Sequence, residues 1–203
     1  MTDCLHPLFA RVWTHVIRPL EEKQAREHRA ELVTGLRGHV LELGCGDGAN
    51  FGFYAAPVES VLAVEPEPYL RARAARAARE AAVPVEVVAG AADALPAADG
   101  SIDAVVCSLV LCSVPVQASA LAEIRRVLSP GGELRFYEHV ASHGGAGRRV
   151  QRIVDPVWTR MAGGCHLDRD TLAVIEGALG PARSRRFGVG GIPHILGSAR
   201  MEA

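Results

Sequence analysis

Val40-Leu41-Glu42-Leu43-Gly44-Cys45-Gly46-Asp47-Gly48-Ala49-Asn50 is the stretch on which the reading of this chain turns. An apolar run carries a carboxylate, Glu42, and then enters three alternate glycines. That pattern predicts a buried strand feeding a turn where the backbone comes very close to a ligand. Glycine suits such a turn because it lacks a Cβ and tolerates positive φ. A second apolar run, Val61-Leu62-Ala63-Val64, ends in Glu65, 21 positions after Gly44. In a doubly wound sheet, an acidic residue about 20 positions past the glycines is placed to bond ribose hydroxyls. Together the two runs imply a nucleoside cofactor.

Gly44-x-Gly46-x-x-Ala49 also fits the loose dinucleotide pattern, which is weak alone. Glu42 argues against it, because a carboxylate there would face an anionic pyrophosphate. It suits instead the ammonium and sulfonium charges of S-adenosylmethionine (SAM). A length of 203 residues fits roughly one domain and leaves little room for a separate substrate domain.

Strand signals alternate with helix signals along the chain. Strands are expected at 39–43, 60–65, 85–89, 102–107 and 133–140, and two short ones near 182–189 and 193–201. Helices are expected over 5–20, 21–36, 68–82, 115–128, 148–161 and 168–179, with a short helix starting near Asn50. Ser129-Pro130-Gly131-Gly132 reads as a helix stop and turn before the fifth strand. Such alternation predicts an α/β fold with a mostly parallel sheet and right-handed crossovers. The expected organisation is one domain over 1–203: a helical cap or lid over 1–37, a cofactor-binding half over 38–140, and an acceptor-side insertion with the last strands over 141–203. The 5–20 helix carries an apolar stripe interrupted by Arg11, His15 and Arg18. It is expected to cover the active site, with peripheral membrane contact as the alternative.

A formal charge of −1 supplies no field to attract nucleic acid. No apolar run reaches the ~18 residues of a membrane span, and no signal peptide is visible. Five cysteines, an odd number, fit a reducing cytoplasm better than a disulfide framework. No Cys/His group has zinc spacing, and the Cys107-x4-Cys112 pair reads as core cysteines, so no metal is expected.

Later segments carry a resemblance. The run from Asp103 to Val114, followed by Arg125-Arg126-Val127-Leu128-Ser129-Pro130-Gly131-Gly132, is similar to the later motifs of class I SAM-dependent methyltransferases. Gly44 to Phe51, Leu109 to Val114, Glu138-His139-Val140, Asp155-Pro156-Val157-Trp158 and Gly164-Cys165-His166-Leu167 resemble the methyltransferase-like 7 proteins. That family includes alkyl-thiol methyltransferases. The resemblance implies a Rossmann-like seven-stranded sheet with helices on both faces, SAM as cofactor and a small-molecule acceptor, a thiol in first place. O- or N-methylation of a bacterial natural product or quinone-like metabolite is the rival enzyme reading. A non-catalytic SAM-binding or membrane-associating module is the alternative of another class.

For the cofactor, Gly44, Cys45, Gly46 and Gly48 would offer backbone, and Glu42 would reach the ammonium. Glu65 would take the ribose hydroxyls from a strand end outside the core, and Pro66 would lie against the adenine. Ala92 and Asp93 would meet the adenine edge; the family's acidic residue there falls at Ala91, a departure. The Cys107 carbonyl would accept from the ammonium, and Leu109 would pack on the ligand. For the acceptor, the expected pocket residues are Phe9, Glu138, Asp155, Trp158, Cys165 and His194. His139, where the chain leaves the fifth strand, is the candidate catalytic base, since imidazole titrates near neutrality.

Overall fold

The computed structural model describes residues 10, 11, 14, 15 and 18–201. Most of the expected 5–20 helix, and Phe9 with it, therefore lies outside the described residues. The described elements run α1 (Arg18–Val33), β1 (Gly38–Leu43), β2 (Val58–Val64), α2 (Pro68–Ala77), β3 (Val85–Val88), β4 (Ile102–Ser108), α3 (Gln117–Val127), β5 (Leu128–His139), α4 (Gly145–Met161), α5 (Thr171–Leu179), β6 (Ala182–Val189) and β7 (Ile192–Arg200).

Seven strands form one sheet in the order β3-β2-β1-β4-β5-β7-β6. The first five strands pair in parallel, and β7 runs antiparallel to both β5 and β6. Strand order reverses between β1 and β4. In an open sheet of this type, ligands bind in the crevice beyond the strand ends at such a switch point.

Two cores flank the sheet, and the alternation of side chains along each strand sorts residues between them. In β4, Val105 and Cys107 face the core built with Leu121 and Ile124 of α3 and Ile175 of α5. Ala104 and Val106 face the other, which contains Leu32 of α1 and Ala74 of α2. Burial on both faces is why this strand reads as a continuous apolar run rather than an alternating one.

Several helix and strand boundaries differ from expectation by a few residues, and one difference changes the strand pairing. The fifth strand starts at Leu128, opposite Ile102, rather than at Glu133. Ser129-Pro130-Gly131-Gly132 is absorbed as an irregularity inside the strand, with Gly131 at φ +77. A Cβ on Gly132 would lie 2.9 Å from the Ser129 carbonyl oxygen, so the glycine there serves a close backbone approach.

Helix α4 turns Gln151, Asp155 and Trp158 inward. Its outer face exposes Val150, Ile153, Val157 and Met161, with Ile153 and Met161 each 72% exposed. Arg149, Arg152 and Arg160 are also exposed, along one flank of that stripe. Among the described residues, no helix is long and apolar enough to cross a membrane.

Candidate active site

At the switch point, the loop after β1 turns through Gly44, Gly46 and Gly48, all at positive φ. A Cβ on Gly44 would lie 2.3 Å from Val110 Cγ2, so the loop after β4 closes on it only because that side chain is absent. Glu65 holds the turn from the end of β2. Its carboxylate accepts the Gly46 N–H and the Glu67 N–H, each at 2.9 Å. Glu65 is buried, and burial pushes its pKa up to about 7 against the pull of those two donors.

Glu42 lies beneath the same loop. Asn50 Nδ2 donates to it at 2.8 Å and the Tyr54 hydroxyl at 2.9 Å. Burial again raises the carboxyl to about 7, opposed by those hydrogen bonds and by the nearby Arg29. Arg29 reaches in from α1 and donates to Asn50 Oδ1 at 3.0 Å and Ser108 Oγ at 3.2 Å. Sequence reasoning assigned no role to Arg29, Asn50, Tyr54 or Ser108. Asn50 lies two positions after the last of the glycines, and that position was the one available signal.

The loop after β4 is held by Glu138. Its carboxylate accepts the backbone N–H groups of Val110 at 3.0 Å, Leu111 at 2.9 Å and Cys112 at 3.1 Å. Leu109 takes φ +59, and its N–H donates to the Tyr137 carbonyl at 2.7 Å. A branched residue at positive φ is strained and persists only where its surroundings over-determine it, as they do here.

A cavity of about 370 Å³ runs from the glycine loop to the region between β5 and α4. Glu42, Gly44, Cys45, Gly46, Glu65, Pro66, Ala92, Asp93 and Leu109 line it. Gly48 does not; its missing Cβ would collide with Phe51 and Ala77, so that glycine serves the packing of the turn. Cys107 is fully buried in β4 and does not line the cavity; the adjoining Ser108 does.

His139, Trp158 and Cys165 line the far end, joined by Cys112. His139 Nδ1 lies 3.0 Å from Cys165 Sγ, and Cys165 Sγ lies 3.5 Å from Cys112 Sγ. Hydrogen bonding to Cys112, then the His139 imidazole and the Trp158 indole N–H, draws the Cys165 thiol down to about 4 against the effect of burial. Cys112, which shares its proton with Cys165, is held well above the usual thiol range. The indole N–H of Trp158 is buried without a well-aligned acceptor.

Three residues expected in the acceptor pocket sit behind its wall. Glu138 is fully buried beneath the loop it holds, its carboxylate taken by three backbone N–H groups, and it does not line the cavity. Asp155 is spent on the segment after α4, accepting the Leu167 N–H at 2.6 Å and lying 2.8 Å from His166 Nδ1. His194 is buried against His139, ring centroids 4.4 Å apart. Its pKa falls to about 4, first through burial and then through repulsion from His139.

Comparison with known proteins agrees with this geometry. A methyltransferase domain model matches residues 41–136, from within β1 to β5. The human protein named thiol S-methyltransferase TMT1B is 36% identical over 98% of this chain and 90% of its own length. The chain belongs to the class I SAM-dependent methyltransferases. Human thiol S-methyltransferase TMT1A is 40% identical over 68% of this methyltransferase and 58% of its own length. A SAM-dependent methyltransferase of Aquifex aeolicus superposes with a TM-score of 0.64 at 18% identity, covering 97% of this chain and 98% of its own. The cyclase SpnF superposes at 0.69 with 21% identity over 89% of this chain and 82% of its own. Its presence among the neighbours illustrates that this fold alone does not fix the reaction.

The lining suits the cofactor of the family. Glu42, Glu65, Glu67 and Asp93 oppose the Arg29 guanidinium, a balance that favours a cation over a pyrophosphate. The buried Glu65 carboxylate at the end of β2 and the close backbone at Gly44 both line the cavity, where a ribose and an aminoacyl chain would fit.

Proposed function

We propose that this methyltransferase transfers the methyl group of SAM to a small, fairly apolar thiol. The observation that carries the reading is the continuity of one cavity from the glycine loop to the wall made by His139, Trp158 and Cys165. A donor held at one end and an acceptor held at the other would meet inside it. The human relative named thiol S-methyltransferase TMT1B matches along 98% of the chain, the acceptor side included.

When bound, SAM supplies a methyl group already activated by the sulfonium charge. The chain's own task is to align the acceptor and exclude water, which in favourable systems lowers a barrier by ~7–11 kcal/mol. The backbone at Gly44 and Gly46 would cradle the aminoacyl chain and ribose. Glu65 would hold the ribose hydroxyls and Glu42 would meet the ammonium. Pro66 and Leu109 would wall the ligand, with Ala92 and Asp93 at the adenine edge. Ser108 takes the place expected of Cys107. A thiol, with a pKa of ~8.5, needs little further activation. His139 would position the acceptor sulfur and favour its thiolate, with Trp158 as the apolar wall.

The odd cysteine count supports a reducing compartment, the cytoplasm, as the place of action. The exposed apolar stripe of α4, flanked by Arg149, Arg152 and Arg160, supports peripheral contact with an anionic lipid surface. Apolar side chains on one face and arginines beside them are what interfacial helices present.

The test compares methyl transfer from SAM to simple alkyl thiols with transfer to alcohols and amines of matched length. Thiols should react fastest, and His139→Ala should lower kcat on thiols. Alcohols or amines reacting as fast would return the assignment to O- or N-methylation. Binding of SAM with no turnover on any acceptor would favour a binding module.

A further inference from the structure

Cys112, His139 and Cys165 come from three separate parts of the chain: the loop after β4, the last residue of β5, and the segment after α4. No sequence spacing relates them, yet one ligand atom from each falls within 4.8 Å of the other two. We propose that these three side chains form a zinc site on the cavity wall, whose fourth coordination position takes the sulfur of the acceptor.

The distances fit. Zinc bound at ~2.3 Å to sulfur and ~2.0 Å to nitrogen, in a tetrahedron, sets ligand separations of about 3.8 Å between sulfurs and about 3.6 Å between sulfur and nitrogen. The sulfurs of Cys112 and Cys165 are 3.5 Å apart, and His139 Nδ1 is 3.0 Å from Cys165 Sγ. Opening the cluster by a few tenths of an ångström admits the ion.

The charges fit as well. Two thiolates and a neutral imidazole cancel a divalent cation, so a neutral unit is buried. The surroundings are those of a supported ligand set. Ser113 Oγ lies 3.6 Å from Cys112 Sγ, and the Cys112 N–H is fixed by Glu138. Trp158 lines the same cavity, its indole N–H buried without a well-aligned acceptor. Arg169 clamps the same loop through the Leu111 and Val114 carbonyls, at 3.2 and 2.6 Å.

Three protein ligands facing a cavity leave an open position, as in catalytic rather than structural zinc sites. All three residues line the cavity that holds the glycine loop. An acceptor thiol entering that position would lose its proton to solvent on forming the zinc–sulfur bond, since a coordinated thiol is deprotonated. A lone pair of that sulfur then forms the new carbon–sulfur bond. The donor's sulfonium–methyl bond breaks, and its electron pair stays on the donor sulfur, leaving S-adenosylhomocysteine and a thioether. The thioether is a weaker ligand than the thiolate and departs.

This rests on the thiol reading, and the experiment separates the two. The full chain is stripped with a chelator under reducing conditions, then titrated with Zn²⁺ against a chromogenic chelator and with Co²⁺ by absorption spectroscopy. One Zn²⁺ per chain is expected, and a thiolate-to-cobalt charge-transfer band with the intense visible bands of a tetrahedral site. Cys112→Ser, Cys165→Ser and His139→Ala should each weaken zinc binding roughly 100-fold or more while S-adenosylhomocysteine binding and circular dichroism stay unchanged. If a variant misfolds, the charge-transfer band of the wild-type cobalt protein and its response to added ligand carry the test. An alkyl thiol should shift that band, and the matched alcohol should not. No stoichiometric zinc, zinc retained at full affinity by the folded variants, or a Cys112–Cys165 disulfide in place of metal would overturn the site. A cobalt spectrum indifferent to thiol would overturn the open position. A preference for alcohols in methyl transfer, with zinc bound, would sink the thiol reading and leave the metal site standing.

Discussion

The Glu65 carboxylate accepts the N–H of Gly46 at 2.9 Å, tying the end of β2 to the loop that follows β1. An acidic residue expected at the edge of the fold is thereby part of its frame. It preforms the surface to which a ribose would bind.

Glu65→Ala should therefore have two effects. Cofactor affinity should fall by roughly 1.5–3 kcal/mol, the scale of hydrogen bonds to a charged group. The ligand-free protein should also lose about 1–3 kcal/mol of stability, because the N–H groups of Gly46 and Glu67 lose their acceptor. Calorimetric titration with S-adenosylhomocysteine and denaturant unfolding measure the two separately. An unchanged denaturation midpoint would show that the carboxylate serves the ligand alone.

Glu42 and Glu65 both titrate near 7 in the ligand-free protein, raised by burial from 4.5. A ligand carrying ammonium and sulfonium charges favours their ionised forms and draws both pKa values down. Protons are then released on binding, so affinity should rise with pH from about 5.5 to about 7.5 and level off above. Glu42→Gln should flatten part of that rise. Isothermal titration in two buffers of different ionisation enthalpy counts the protons. Binding that is independent of pH over this range would mean that neither carboxylate responds to the ligand's charge.

Glu138→Gln should lower stability by about 2–3 kcal/mol and reduce turnover more than its conservative chemistry suggests. An amide has one acceptor oxygen for the three N–H groups of Val110, Leu111 and Cys112, and its NH₂ would face donors. The loop holding Leu109 at φ +59 should then relax and loosen the cofactor wall. Thermal unfolding with a parallel KM for SAM checks this. A normal melting temperature with normal kinetics would show that the loop holds itself.

Substituting Ile153 and Met161 with glutamate should release the protein from anionic vesicles and leave methyl transfer to water-soluble thiols intact, since both side chains point outward from α4. Co-sedimentation with phosphatidylserine vesicles reads the effect. Equal sedimentation of both forms would exclude α4 as the contact.

The mostly parallel α/β sheet and the methyltransferase family were legible in the chain because both depend on local signals. The apolar runs at 40–43, 61–64 and 102–107, the glycines at 44, 46 and 48, and Glu65 at its distance from them each report on a few neighbouring residues. Strand-to-helix alternation then leaves few topologies open. The boundary of β5 was misread for the same reason, since Pro130-Gly131 makes a local turn signal and the pairing of Leu128 with Ile102 is long-range.

The far wall of the cavity was legible only in part. The residues around it were singled out, yet their roles depend on which way each side chain turns. Alternation along β5 sends Glu138 under the loop after β4 and His139 to the cavity. Helical period turns Trp158 inward toward that cavity, while Asp155, on the same inner side, is taken by Leu167 and His166. The meeting of Cys112, His139 and Cys165 spans 53 positions and three elements. Sequence by itself determined the parallel core of the sheet and the glycine loop after its first strand, where neighbouring residues share the work. Tertiary structure alone decided the far end of the cavity, because convergence of side chains from distant segments leaves no periodic trace in the chain.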